Sequence, residues 1–405
     1  MPTEKKSISA GIISIPLGHA AVDWFFAGFW ILLPFISEEL QLNKLQVASI
    51  ITVRTLFSAI VYLPAGALAG IVSRRTLYAF FSVCWVIIGY FIVSFSPTFI
   101  TLVIAVTAAE IGAILWHPFG LSSITKILTH RKGLGTALFN AGGSIAEVGS
   151  PALMSYLIRE NTAVPLITSR VINWRIVIRL NTIIVALFGL TILWTSFLLF
   201  KDNPIKTERS LHLKESIKLL KIPLIQKALL IAIIRFLAYL SILTYLSIYL
   251  SDHIGKESAS LQVTLFLLAG VMGSTLLGWR SDKGKRAQTL TVSLACASLA
   301  TLSIPIAKIL PLISLTIFLS GFFIGACFTV MLAMALDNVP DAIKATFIGL
   351  FFAILEGASS IALLATASIV SIWGTASAFY FSGILMALAT IVLLPIRFFN
   401  TKKGR

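Results

Sequence analysis

Long uninterrupted apolar runs constrain this chain more than any motif does. Read in windows of about 19 residues, the sequence divides into about twelve apolar segments, each able to cross a bilayer core of ~30 Å at ~1.5 Å rise per helical residue. The segments are 9–36, 46–72, 76–96, 98–124, 133–157, 173–200, 224–250, 259–280, 287–307, 310–335, 343–370 and 373–398. In lipid every backbone polar group must be satisfied internally, so such segments fold as helices. Charged residues make up only 12% of the 405-residue chain and hydrophobic ones 58%, leaving no material for a soluble core outside the spans. The expected fold is an all-α membrane protein of about twelve transmembrane helices, with any working site in the spans or at their mouths.

Orientation follows from the basic residues, because short loops rich in lysine and arginine stay on the cytoplasmic side. Lys5, Lys6, Arg74, Arg75, Lys126, Arg131, Lys132, Lys283, Lys285, Arg286, Lys344 and the tail residues Arg397, Lys402, Lys403 and Arg405 fall on alternate loops, which places both termini inside. The loop 158–175 runs against the rule, with Arg159, Arg170 and Arg175 against Glu160. The net charge of +16 reflects this loop asymmetry and forms no nucleic-acid-binding stripe. The N-terminus is basic and then apolar, but its apolar run outlasts a signal-peptide core, so it reads as an uncleaved first span. Short loops and the absence of N-x-Ser/Thr sequons fit a multi-pass protein of a bacterial inner membrane.

The chain divides into residues 1–200, a polar linker at 201–223 and residues 224–405. In the linker Leu213, Ile217 and Leu220 share one helical face and Lys214, Lys218 and Lys221 the next, the pattern of a basic helix on an anionic membrane surface or of a solvated connector. The two halves resemble each other. A shift of 212 residues superposes Gly66 in "GALAGIVSRR" on Gly278 in "GWRSDKGKR", and places Asp23 on Arg235. Glu147 in "IAEVGSPAL" and Glu356 in "ILEGASSIAL" correspond at a slightly different shift. Together these argue for a six-plus-six duplication, which in transporters puts the working site at mid-membrane.

Ionisable residues inside the spans carry the functional signal. Each costs ~2.5–3.5 kcal/mol at a helix centre, while a leucine returns only ~0.3–0.6. Asp23, Arg54, Glu110, Glu147, Arg179, Arg235 and Glu356 would together cost about 20 kcal/mol if all faced lipid. They are expected to face one another or water. His19 and Asp23 stand four residues apart, one turn along the same helical face. An imidazole beside a carboxylate in a partly dry cavity can take up and release a proton near neutral pH, so the pair is a candidate proton-coupling site. A structural hydrogen-bonded pair is the alternative. Glu110, Glu147 and Glu356 are further proton-site candidates, and Glu147 and Glu356 could equally serve as partners of an arginine. Arg235, placed opposite Asp23 by the repeat, could bind an anionic cargo or counter the carboxylates. Arg54 and Arg179 lie nearer the outer ends of their spans, where snorkelling is the cheaper account. Trp24, Phe25, Phe26 and Trp30 could line a cavity, although aromatics in spans more often face lipid or the interface.

Two six-span halves, a basic linker and a glycine-then-basic loop after the second and eighth spans resemble the major facilitator superfamily. In the second copy of that family's loop motif Gly278, Asp282, Lys283, Gly284, Lys285 and Arg286 fit with one residue missing. In the first copy Gly66, Arg74 and Arg75 fit, but Gly70 stands where the aspartate belongs, so that gate is weaker or held differently. Residues 15–155 are similar to the fosmidomycin-resistance branch of efflux proteins through His19 with Asp23, "LLP" at 32–34, Pro64 with Gly66, "HP" at 117–118 and "NAGGSIAEVGSP" at 140–151. The resemblance implies a proton-driven exporter and adds His117 as a polar contact of the cavity, beyond the hinge that Pro118 alone suggests.

The sequence shows no glycine-rich phosphate loop, nucleophile elbow, paired metal ligands or cysteine–histidine cluster. Cys84, Cys296 and Cys327 fall inside spans with no disulfide or metal spacing. Neither an enzyme nor a cofactor or metal is expected. The implied partners are a small-molecule substrate, protons and the lipid bilayer, with the chain acting as a monomer and without nucleic acid. Three functions remain open: proton-coupled export of a small organic solute by alternating access, movement of an anionic metabolite or metal chelate on the same fold, or a non-transporting membrane scaffold or sensor.

Overall fold

In the computed structural model the backbone is described for residues 2–71, 75–128, 132–158, 173–199, 213–283, 286–337, 339–340 and 344–393, with some side chains at helix ends left out. The described chain is all helix and turn. Its elements are α1 (Pro2–Glu39), α2 (Lys44–Ile71), α3 (Arg75–Val93), α4 (Phe99–Ile127), α5 (Lys132–Leu157), α6 (Trp174–Leu199), α7 (Leu213–Leu219), α8 (Pro223–Ile254), α9 (Lys256–Ser281), α10 (Arg286–Ser303), α11 (Leu310–Leu336), α12 (Lys344–Trp373) and α13 (Ala376–Leu393). Apart from the short α7, each helix corresponds to one apolar segment of the sequence. Over the described residues ten of them are long and apolar enough to cross a membrane. The apolar stretch of α3, Tyr78–Val93, is shorter. α5, interrupted by Asn140, Glu147 and a run of glycine and serine, is not among the ten.

The chain forms two compact units, one of residues 1–42 and 57–211, the other of 43–56 and 212–405. The division therefore falls inside α2, whose first turns belong with the second unit. There Tyr245 of α8 donates its hydroxyl to the carbonyl of Lys44, at 3.1 Å. Within the first unit α1 packs on α4, α5 and α6, and α3 on α4 and α6. Within the second α8 packs on α11, α12 and α13, and α10 on α11 and α13. These pairings repeat, helix for helix, in the order that the 212-residue internal shift implies.

Close helix approach is what small residues provide in spans. Gly142 of α5 lies so near α1 that a Cβ there would overlap the carbonyl oxygen of Pro16. Gly325 of α11 is pressed in the same way on the backbone of Gly270 in α9. In the second unit a cluster including Ile225, Leu290, Val330, Phe347 and Phe351 forms the apolar core.

The linker differs from its expected pattern. Residues 201–212 and the side chains of Leu213 and Lys214 lie outside the described residues. In α7, which packs on α12, Ser216 is buried and Leu219 and Leu220 sit against the second unit's core, while Ile217 is exposed together with Lys218. The buried face is therefore rotated from the one that Leu213, Ile217 and Leu220 would define, because the helix seats against protein on that side.

Candidate functional site: a histidine–aspartate–histidine cluster

Three ionisable side chains meet inside the first unit. α1 presents His19 and Asp23 one turn apart, and α4 brings His117 against them. His19 Nε2 lies 3.1 Å from Asp23 Oδ2, His117 Nε2 3.5 Å from Asp23 Oδ1, and the two Nε2 atoms 3.3 Å apart. The side chain of His19 is 8% exposed, that of Asp23 21% and that of His117 30%, so the cluster opens on its Asp23 and His117 side. The rings meet edge to face, with centroids 5.0 Å apart, and Phe139 of α5 stacks on the far face of His19 at 3.9 Å.

Main-chain oxygens fix one proton on each ring. His19 Nδ1 is 2.7 Å from the carbonyl of Phe139, and His117 Nδ1 is 2.6 Å from that of Ala113, one turn earlier on its own helix. A carbonyl only accepts, so each Nδ1 carries the proton and donates it. With both rings neutral, the two Nε2 lone pairs would be aimed at each other and at the carboxylate. Without a cation among them, three acceptors would face one another in a largely buried site, which is electrostatically unfavourable. The local sequence builds this arrangement. Gly143 leaves room for the imidazole of His19, since a Cβ there would stand 3.0 Å from Cε1, and α4 continues through Pro118 with His117 turned to α1.

The remaining candidates are distributed differently. Glu110 is two turns before His117 on the same face of α4. Glu147 stands one turn beyond Gly143 on α5 and is exposed. Glu356, half-buried on α12, belongs to the second unit, as does Arg235 on α8. Arg235 is 5% exposed, and its Nε and Nη2 both donate to the carbonyl of Ile324, at 3.0 and 2.8 Å. Its guanidinium also stacks over Tyr239 and Phe328, at 4.6 and 5.2 Å.

The two arginines expected to snorkel differ: Arg54 does not, whereas Arg179 is half-buried and reaches the turn at the end of its neighbour helix. Arg54 is 4% exposed, enclosed in protein instead of reaching an interface. Arg179 donates to Ser94 Oγ at 3.0 Å and lies over Phe95, closing the end of α3. Beside it Arg175 pairs with Glu39 at 2.9 Å, and Trp174 donates its indole N–H to the same carboxylate. The excess positive charge of loop 158–175 is thus partly matched by an acid from the end of α1, while Arg159, Glu160 and Arg170 lie outside the described residues. Trp24, Phe25 and Trp30 are buried, not lipid-facing. Phe25 stacks on Tyr90 with centroids 4.4 Å apart, and Trp24 donates to Asn181 Oδ1 at 2.7 Å.

Of the loop motif, the second copy is well described. Arg286 at the start of α10 pairs with Asp282, at 3.2 Å, and with Asp337 just past α11, and donates to the carbonyl of Ala333 at 3.1 Å. Lys283 lies over the ring of Trp279, and Gly278 packs against Thr329. In the first copy Gly66 is in α2, but Arg74 and the side chain of Arg75 lie outside the described residues, as do Gly284 and Lys285. Sequence reasoning missed Asp337, whose position after an apolar helix carries no motif, and missed Ala113, which acts through its backbone, and Phe139, which acts through its carbonyl and its stacked ring.

Comparison with known proteins agrees with the architecture. The sequence profile of the Major Facilitator Superfamily matches residues 17–257 and 229–405. An uncharacterised protein of Archaeoglobus fulgidus is 27% identical over 172 residues, 41% of this chain and 76% of that one. Among solved structures, a bacterial homologue of the human lysosomal transporter Spinster, inward-facing and unoccupied, aligns with a TM-score of 0.75 at 15% identity over 99% of this chain and 96% of its own. The occupied inward-facing form of such a homologue gives 0.72 at 15% identity, over 100% and 98%. With the family profile spanning both halves of an all-helical membrane fold, the chain belongs to the Major Facilitator Superfamily, as a secondary transporter and not an enzyme.

Proposed function

We propose that this transporter exports a small organic solute in exchange for protons by alternating access, with His19, Asp23 and His117 as the coupling site. The convergence of the three side chains carries the reading. Their facing acceptor atoms need a cation among them, and a proton is the cation that an imidazole itself supplies. Glu110, two turns along α4, and Glu147, one turn past Gly143, are placed to pass protons to or from the cluster. Export rests on the similarity of residues 15–155 to the fosmidomycin-resistance branch. Arg235 and Glu356 in the second unit, with Arg54 and Arg179, are the proposed contacts for substrate or for charge balance. Arg286, Asp282 and Lys283 with Gly278 are the proposed gate on the cytoplasmic side, with their counterparts Gly66, Arg74 and Arg75. We place the protein as a monomer in a bacterial inner membrane with both termini cytoplasmic, on the basis of its basic loops.

The test begins with the solute that most raises the thermal stability of the purified protein, since a ligand bound only by the folded state does so. In proteoliposomes bearing an imposed pH gradient, wild-type protein should move that solute against its concentration gradient. Asp23→Asn should abolish gradient-driven movement while remaining folded and keeping solute-induced stabilisation. Unchanged gradient-driven transport by Asp23→Asn rejects the coupling assignment. Wild-type protein that moves neither protons nor any tested solute rejects active transport in favour of a scaffold or sensor.

A further inference from the structure

We infer that His19, Asp23 and His117 bind a divalent transition-metal ion of the zinc class, with three protein ligands and one coordination position left open. The inference rests on the reading of this cluster as the transporter's cation site and names a second cation for it. Among the described residues this set has its ligand atoms within 4.8 Å of one another. No sequence spacing shows it, because the third ligand stands 98 residues beyond the first.

Three observations carry the assignment. The first is separation. Zinc held tetrahedrally by nitrogen and oxygen at ~2.0–2.1 Å sets its ligand atoms ~3.3 Å apart. The two Nε2 atoms stand 3.3 Å apart and each faces its own carboxylate oxygen, Oδ2 at 3.1 Å from His19 and Oδ1 at 3.5 Å from His117, so an ion between the nitrogens can take either oxygen after a small adjustment of the carboxylate. The second is tautomer. Each Nδ1–H is held by a carbonyl, so once the ring is neutral its Nε2 offers a lone pair inward, the arrangement by which proteins orient a metal-bound histidine. The third is access. Phe139 and the α1–α5 contact close the His19 side, whereas Asp23 and His117 are partly exposed, so a fourth ligand such as water or a cargo group can enter from there.

Two imidazoles and one carboxylate also decide which ions are accepted. The set suits zinc, cobalt, nickel and copper, and is poor for magnesium or calcium, which require more oxygen ligands. A metal ion and a proton would compete for the same atoms, since imidazole binds metal through its deprotonated nitrogen.

The experiment uses full-length protein purified in detergent with a tag that contains no histidine, stripped of metal by a chelator. Equilibrium dialysis against zinc followed by metal analysis should find one ion per chain, unaffected by excess magnesium. Cobalt in place of zinc should produce the intense visible absorption of a four-coordinate site. His19→Gln and His117→Gln should each weaken binding more than about tenfold, as loss of a ligand or of its orientation does. Absence of saturable micromolar zinc binding by wild-type protein overturns the inference, which is decided without any variant having to fold. So does binding that both glutamine variants retain in full. The outcome is separable from that of proton coupling. If zinc does not bind but Asp23→Asn loses gradient-driven transport, the metal site falls and coupling stands; zinc binding with unaltered transport by Asp23→Asn gives the reverse.

Discussion

At the scale of single residues, His19, Asp23 and His117 share one site because each alone would be costly inside an apolar span. His19 and Asp23 announce themselves because two ionisable groups one helical turn apart in an apolar run are costly unless they serve each other. His117 entered only through family resemblance, since nothing local links a "HP" in one span to a histidine 98 residues earlier. The carbonyls of Phe139 and Ala113 could not be read at all, because every residue has one and only the fold selects which are used. Trp24 shows the same limit. Its indole is buried with Asn181 as acceptor, and Asn181 in turn donates to the carbonyl of Val177 at 2.8 Å. Replacing Asn181 by Leu should strand the indole N–H and cost ~1–3 kcal/mol. Thermal unfolding in detergent should show Asn181→Leu below wild type, with the double variant Trp24→Phe, Asn181→Leu recovering part of the loss.

At the scale of elements, the apolar segments and the helices agree to within a few residues at most ends, since hydrocarbon leaves the backbone few alternatives. The departures are informative. α5 falls short of the apolar length of its neighbours because its glycines, serines, Asn140 and Glu147 serve contact with α1 more than contact with lipid. Gly142 sits at that crossing, where a side chain would meet the backbone of Pro16 and neither helix can yield without moving the other. Gly142→Val should therefore cost at least ~1–3 kcal/mol and lower the yield of folded protein. Gly349→Ala in α12, where an added Cβ meets nothing within 4 Å, should be neutral or stabilise by ~0.5–1 kcal/mol. Thermal midpoints and monodisperse yield after solubilisation check both.

At the scale of the molecule, the duplication was visible in the sequence only as weak echoes, yet the pairings of α1 and α3 recur as those of α8 and α10, although the contacts of α9 with α8 and α11 have no described counterpart at α2. The reason is that lipid-facing and core positions tolerate many apolar residues of similar volume, so sequence drifts while helix contacts persist. What the sequence did not disclose is that α2 divides between the units at Leu56 and Phe57. A chain interrupted in the linker should consequently remain one object: residues 1–211 and 212–405 expressed as separate polypeptides should co-purify from detergent. Recovery of each alone would contradict this assignment of the first turns of α2. The two histidines carry a different lesson. With each ring tethered to a main-chain oxygen, the conformational search for a productive donor pose is completed during assembly of α1, α4 and α5. Any cation the proposed site accepts would therefore find its donors already in place, with little side-chain ordering left to oppose its binding.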